Sequence, residues 1–174
     1  MITLFFISLI AFIAGITAVT LKYSIPASIS ESYYLLPPKA RIPIFYGWTV
    51  LVALPLAVFW LDISGGTAQT LVFFGCVFLI GVGVAAPFKE EHTQIAHFIC
   101  AGLCVLFTQL WIFIYTPFWV FTLALTGLFA TFGYRTQGAS GDEETSNSLT
   151  FFLELAVFLS VYISVYGFYK LLNY

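Results

Sequence analysis

The stretch MITLFFISLIAFIAGITAVTL, residues 1–21, contains no charged side chain and decides the class of fold. At 1.5 Å per residue, a helix of this length crosses a hydrocarbon layer of about 30 Å. No basic residues precede the apolar part, which is also longer than the apolar core of a typical secretory signal. We therefore expect a retained membrane-spanning helix here.

The composition of the whole chain indicates that its solvent is lipid. Hydrophobic residues make up 61% of the 174 residues and charged residues only 8%, whereas a soluble domain carries about 25% charged residues. Because so few polar groups cannot cover a protein in water, we expect the lipid bilayer as a partner. The net charge is −2, and the sequence contains no cluster of lysine and arginine residues. Both facts argue against nucleic acid as a partner.

Six apolar runs are long enough to span a membrane, and none alternates polar and apolar residues as a barrel strand does. The sequence predicts one all-α domain, a polytopic transmembrane bundle of six helices plus one short interfacial helix. The predicted spans are 1–21, 42–61, 67–87, 95–115, 117–134 and 148–169. Glycines in the third span predict close helix packing, and Gln109 in the fourth predicts a hydrogen bond to a neighbouring helix.

Lysine and arginine residues are unevenly distributed between the two ends of such a bundle. Of the six, only Lys170 lies on one side. The other side carries Lys22, Lys39, Arg41, Lys89 and Arg135. Because cytoplasmic connections carry the excess of these residues, we expect that side to be cytoplasmic and both termini to face outward. The predicted location is the inner (cytoplasmic) membrane of a bacterium.

The first two spans are joined by SIPASISESYYLLPPKARIP, residues 24–43. Its SISE sequence matches a capping box, in which Ser28 bonds the N–H of Glu31 and the Glu31 carboxylate reaches back. A short helix is predicted to run from there to about Leu36, where two prolines end it.

The residues of this short helix fall on two faces at helical spacing. The apolar face carries Ile29, Tyr33 and Leu36, and the polar face carries Ser30, Glu31 and Tyr34. A helix of this kind is expected to lie at the membrane interface. It is then either a connector packed on the bundle or a lid over a cavity.

Ionisable side chains inside apolar runs are costly in lipid and therefore mark candidate sites. His97 lies near the start of the fourth span, and Glu154 lies about a turn and a half into the sixth. The predicted topology places Glu31 and Lys89 on the same side. We predict a polar cluster that handles a ligand or protons, beside a cavity bounded by the fourth and sixth spans and segment 28–36. The structural alternative is that Glu154 reaches the interface or pairs with Lys89, while His97 caps or hydrogen-bonds.

His97, Cys100 and Cys104 share one face of the fourth span. Three ligands spread over two turns of one helix are too far apart for a single ion, so no metal and no other cofactor is predicted. The cysteines, including Cys76, are interpreted as small packing residues. The sequence has no motif typical of nucleotide binding or of a zinc or serine hydrolase.

Three blocks, SISESYYLLP, GVGVAAPFK and IAHFICAGL, resemble a family of small polytopic membrane proteins from bacteria and their phages. The matching positions are Ser28 to Tyr34, Ala85 to Lys89, and His97. The resemblance implies six spans and implies no activity. A more distant similarity to DRAM-type membrane proteins rests on an isoleucine–serine–acid sequence after the first span. It implies a non-cytoplasmic position for that sequence, opposite to the topology predicted above.

The predicted function is ligand or ion handling, or partner binding, through the polar cluster, rather than catalysis. One alternative is a membrane-embedded hydrolase acting on lipid, with a metal or nucleophile near His97. Its candidate nucleophiles are Ser28, Ser30 and Ser32. Another alternative is a structural subunit of a membrane complex, and a homo-oligomer or a membrane-protein partner is possible in each case.

Overall fold

The computed structural model describes residues 1–87, 89–139 and 148–173, and within these ranges the chain is all α-helical. The described residues form six long helices and one short one, which confirms the predicted fold class. They are α1 (Ile2–Tyr23), α2 (Ser32–Leu35), α3 (Arg41–Ile63), α4 (Ala68–Val84), α5 (Glu91–Tyr115), α6 (Trp119–Ala139) and α7 (Ser148–Leu172).

Short connections make consecutive long helices return alongside one another. Helix α3 packs between α1 and α4, α4 packs on α5, and α6 packs on α7. Helix α7 closes the bundle by contacting α1 through the rings of Phe5 and Tyr162, and α5 through the rings of Trp111 and Phe168. Helix α6 is therefore the outlying helix, with α7 as its main neighbour.

Large apolar side chains fill the centre of the bundle. Phe12, Phe59, Trp60 and Trp111 are completely buried. The rings of Trp60 and Trp111 meet edge to face with their centroids 4.9 Å apart, an arrangement that aromatic pairs favour. These contacts join α1, α3 and α5 into one core.

Polar side chains also connect the helices. The hydroxyl of Ser8 donates to the carbonyl of Val52 at 2.6 Å and lies 2.6 Å from the hydroxyl of Tyr162. These contacts join α1 to α3 and α7. The amide of Gln109 donates to Ser160 on α7 at 3.4 Å, which confirms the predicted interhelical hydrogen bond.

Glycines let α4 approach α3 and α5 closely. A Cβ atom placed on Gly83 would lie 2.7 Å from the Thr49 methyl group, and one on Gly75 would lie 2.8 Å from that of Thr108. Real Cβ atoms do not come so close to other heavy atoms. The predicted close packing of the third span is therefore confirmed.

Five of the described helices are long and apolar enough to cross a membrane, namely α1, α3, α4, α5 and α7. The chain is thus an integral membrane protein by the length and composition of its helices. Helix α6 lies where the fifth span was predicted, but it is not one of the five. Its threonines, together with Arg135 and Gln137, reduce its mean hydropathy.

The segment between α1 and α3 differs from its prediction. The Glu31 N–H donates to the Ser28 hydroxyl at 3.0 Å, as the capping box requires, but only Ser32–Leu35 is α-helical. Ser30, predicted on the polar face, is as buried as Tyr33, whereas Glu31 and Tyr34 remain partly exposed and contact Lys89. The cause is tertiary: α3 and α7 both contact the segment, so it is a connector packed on the bundle, which is the first of the two predicted alternatives.

Candidate functional site

A cavity of about 100 Å³ lies inside the bundle. Helices α1, α3, α4, α5 and α7 all contribute to its wall, and Ile29 and Ser30 of the connector cover one end. This places a cavity against the fourth and sixth predicted spans and segment 28–36. Its wall is mainly aliphatic and aromatic, and includes Trp48 and Trp60.

Glu154 is the only charged residue among the described residues that line the cavity. The other polar groups of the wall include the hydroxyls of Thr49 and Thr108. Thr49 donates to the Phe45 carbonyl at 2.9 Å and Thr108 to the Cys104 carbonyl at 2.8 Å. Because these hydroxyls are satisfied by their own helices, the polar groups of the wall that remain available to a ligand include the Glu154 carboxylate and the Nε1–H of Trp60, which has no hydrogen-bond partner among the described residues.

The connector supplies the hydrogen bonds that Glu154 accepts. The backbone N–H of Ile29 donates to Glu154 Oε2 at 2.5 Å, and the N–H of Ser30 also bonds to this carboxylate. In return, the N–H of Phe151 in the first turn of α7 donates to the Ala27 carbonyl at 3.0 Å. Each segment thus satisfies backbone groups that the other leaves free at its end.

A second set of contacts fixes the other side of the connector. The Glu31 carboxylate pairs with the Lys89 ammonium group rather than reaching back to Ser28, which corrects the second half of the predicted capping box. The hydroxyl of Tyr34 accepts from the Lys89 N–H at 2.7 Å. Arg41 donates to the carbonyls of Leu36 and Tyr34 at 2.8 and 3.0 Å. These contacts join the connector to α3 and to the link between α4 and α5.

His97 is buried but does not line the cavity. Its Nδ1 lies 3.1 Å from the Ala85 carbonyl and therefore donates to it, and the ring also bonds to the Val82 backbone. Both are at the C-terminal end of α4, where carbonyls lack partners within the helix. The structure brings Glu31 and Lys89 together and holds Glu154 on the connector, while His97 connects α5 to α4.

The three cysteines and the candidate nucleophile Ser32 have different surroundings. Cys76 and Cys104 line the cavity, whereas the Cys100 sulfur packs against Gly81. Among the described residues, no three His, Cys, Asp or Glu side chains are grouped closely enough to hold a metal ion. The Ser32 hydroxyl donates to the Ile29 carbonyl at 2.5 Å, so this candidate nucleophile is engaged in a turn.

A separate groove of about 340 Å³ lies on the outer surface between the start of α3 and the end of α4. Ile42, Tyr46 and Val84 form its exposed rim, and Tyr33 lies at its base. The edge-to-face contact between Tyr33 and Phe45, with centroids 5.8 Å apart, separates this groove from the cavity, because Phe45 lines the cavity.

Comparisons with family models, curated proteins and solved structures find no match to this chain. The fold and the site therefore define only a class: an all-α integral membrane protein with an apolar internal cavity and one carboxylate in its wall. The sequence identified Glu154 as a candidate but not its partners in the connector, nor Trp48 and Trp60. In the sequence these residues show only ordinary helical spacing, and such spacing does not distinguish the wall of a cavity from a packed core.

Proposed function

We propose that the protein binds a small apolar molecule or one hydrocarbon chain inside its bundle. The observation that carries this proposal is the cavity of about 100 Å³ with its mainly apolar wall. A site of this kind gives water few partners and offers an apolar guest dispersion contacts on all sides. Binding in such a site needs no cofactor and no bond-breaking chemistry.

The shape of the cavity supports a narrow ligand. On α7 the wall extends from Glu154 to Val161, which corresponds to about 10 Å of helix. Val105 on α5 also lines the cavity and is 40% exposed. The cavity therefore reaches the outer surface of the bundle beside α5, where lipid chains would surround the helices. A ligand dissolved in the bilayer has a route to the cavity at this point, and the part of a longer chain that exceeds about 100 Å³ would remain in this opening.

Quenching of tryptophan fluorescence tests the proposal, because Trp48 and Trp60 line the cavity. The probe is bromooctane, whose bromine quenches an indole ring on contact. The protein is reconstituted in lipid nanodiscs and carries Trp119→Phe, because Trp119 is an exposed residue that lipid-dissolved probe would also reach. We expect saturable quenching, and we expect Ala101→Phe, which fills the cavity, to weaken binding at least tenfold.

Ala124→Phe on α6 is the matched control, because Ala124 is exposed and lies outside the cavity wall. It should bind bromooctane as the parent protein does. Quenching that rises without saturation, or that Ala101→Phe leaves unchanged, would show that the probe only dissolves in the bilayer and would refute the proposal.

We also propose the number of spans, the orientation of the protein and the membrane in which it lies. Helix α6 would be a sixth span, since Phe121, Leu123 and Leu128 are exposed on it and would meet lipid. The end of the bundle that carries Glu31 and Lys89 would face the cytoplasm of a bacterium, with the protein in its inner membrane. A homo-oligomer or a membrane-protein partner would use the same apolar outer surfaces. Because His97 lies outside the cavity wall, the geometry favours binding over lipid hydrolysis.

A further inference from the structure

We infer that the ligand carries a cationic head, and that Glu154 binds a primary ammonium group attached to a single hydrocarbon chain. The inference rests on the proposed function and specifies its ligand. Two observations support it. Glu154 lies in the wall of an apolar cavity, and its carboxylate accepts hydrogen bonds from the backbone N–H groups of Ile29 and Ser30, which occupy only part of its lone pairs.

The carboxylate of Glu154 has no cationic side chain beside it. In the described part of the chain the only salt bridge joins Lys89 and Glu31. Acidic groups at membrane depth are costly and normally pair with a cation or border a functional pathway. In this bundle, the cavity itself is the place from which a cation can approach Glu154.

The other lysines and arginines at this end of the bundle either contact other groups or are exposed on the surface. Arg41 is held by the carbonyls of Leu36 and Tyr34. Lys22 lies over the ring of Tyr23, 4.9 Å from its centroid, and Lys39 and Arg135 are exposed on the outer surface. An internal ion pair with Glu154 would require Arg41 or Lys22 to give up its contacts, or an exposed side chain to leave the surface.

Glu154 has room for further hydrogen bonds. A carboxylate offers about four lone-pair sites, and the N–H groups of Ile29 and Ser30 occupy part of them. A primary ammonium group has three donors and can use the remaining sites. Its hydrocarbon chain would then follow the wall of α7 toward Val161, past Trp48 and Trp60.

A series of probes with the same chain tests the inference. Bromooctane, ω-bromooctanol, ω-bromooctanoate and ω-bromooctylammonium are compared by tryptophan quenching in nanodiscs of zwitterionic lipid, again in the Trp119→Phe protein. We expect ω-bromooctylammonium to bind at least tenfold more tightly than bromooctane, because hydrogen bonds to a charged group are strong. The carboxylate probe should bind most weakly, because it meets a like charge.

Glu154→Gln is the decisive variant, and the readout is the ratio of the two Kd values, for ammonium and for bromooctane, in the same protein. We expect this ratio to approach one in Glu154→Gln and to stay unchanged in Glu90→Gln, where an exposed carboxylate at the same end is removed. A ratio near one in the parent protein, or a preference that survives in Glu154→Gln, overturns the inference. If Glu154→Gln does not fold, the order of the four probes on the parent protein decides.

The two proposals fail in different ways. If bromooctane binds and Ala101→Phe prevents this, but the head group has no effect, the cavity is a binding site for apolar molecules and only the cationic head is refuted. If none of the four probes gives saturable quenching, both proposals are refuted.

Discussion

At the scale of single residues, two ionisable groups within predicted spans, the half-buried Glu154 and the buried His97, have different roles. Glu154 lines the cavity and accepts hydrogen bonds from the connector. His97 donates to the end of α4 and lies outside the cavity wall. The two were predicted as one polar cluster, but they stabilise different parts of the bundle, so their substitutions should have separable effects.

Replacing His97 by alanine should destabilise the protein without changing what the cavity binds. The variant leaves the Ala85 carbonyl without this donor, and an unsatisfied buried polar group costs about 1–3 kcal/mol. We expect a lower midpoint of thermal unfolding in detergent and an unchanged Kd for bromooctane. Gln94→Ala, an exposed position on the same helix, should change neither. A large loss of bromooctane binding in His97→Ala would contradict this prediction and show that His97 contributes to the binding site.

At the scale of elements, glycines and connectors decide how the helices meet. Close approaches of α4 to its neighbours include the positions where Gly75 and Gly83 face threonines. The connector between α1 and α3 is fixed by Glu154 on one side and by Lys89 on the other. Because one contact comes from α7 and the other from the link between α4 and α5, the connector is held over the cavity from both sides.

Gly75→Ala should push α4 and α5 apart, and Thr108→Ser should restore the fit. The added Cβ would lie 2.8 Å from the Thr108 methyl group, while the next heavy atom is 3.7 Å away. The threonine side chain is stiff, so the clash should cost about 1–3 kcal/mol. Serine removes the methyl group and keeps the hydroxyl that bonds to Cys104.

The measurement is thermal unfolding of the two single variants and the double variant. We expect the double variant to unfold close to the parent protein and Gly75→Ala well below it. Gly102→Ala on α5 is the matched control, because a Cβ there meets nothing within 4 Å. Equal destabilisation in Gly75→Ala and in the double variant would show that the α4–α5 contact is not limited by this methyl group.

At the scale of the whole molecule, three features gather at one end of the bundle. These are the connector, the link between α4 and α5, and the start of α7, which are joined by hydrogen bonds. Five of the six lysines and arginines lie in or beside these segments or at the end of α6. The bias in charge therefore coincides with the covered end of the cavity, which we propose faces the cytoplasm.

Cysteine labelling in intact cells tests this orientation. Gly65→Cys places a thiol in the exposed link between α3 and α4, where a Cβ meets nothing within 4 Å. Glu90→Cys places one at the opposite, connector-bearing end. A membrane-impermeant maleimide should label Gly65→Cys in intact cells and Glu90→Cys only after lysis. The parent protein provides the baseline, because its three cysteines lie within helices. The reverse pattern would invert the topology and place the connector outside.

Much of the fold could be predicted from the sequence, because a membrane helix depends on a continuous run of neighbouring residues. Each predicted span overlaps one long helix, and the close packing of the glycines in α4 and the bond from Gln109 were anticipated as well. The connector was predicted less well. Its capping bond from Glu31 to Ser28 is local and was found, but its burial depends on α3 and α7, which pattern and propensity do not report.

Sequence alone determined that this is a membrane protein, that it is all α-helical, and that most of its lysines and arginines lie at one end, since these properties follow from composition and order along the chain. Only the tertiary structure decided that Glu154 belongs to a cavity and His97 does not. The reason is physical: the Ile29 N–H and the Glu154 carboxylate are 125 positions apart in the chain but 2.5 Å apart in space. A wall built from five helices exists only after those helices have packed.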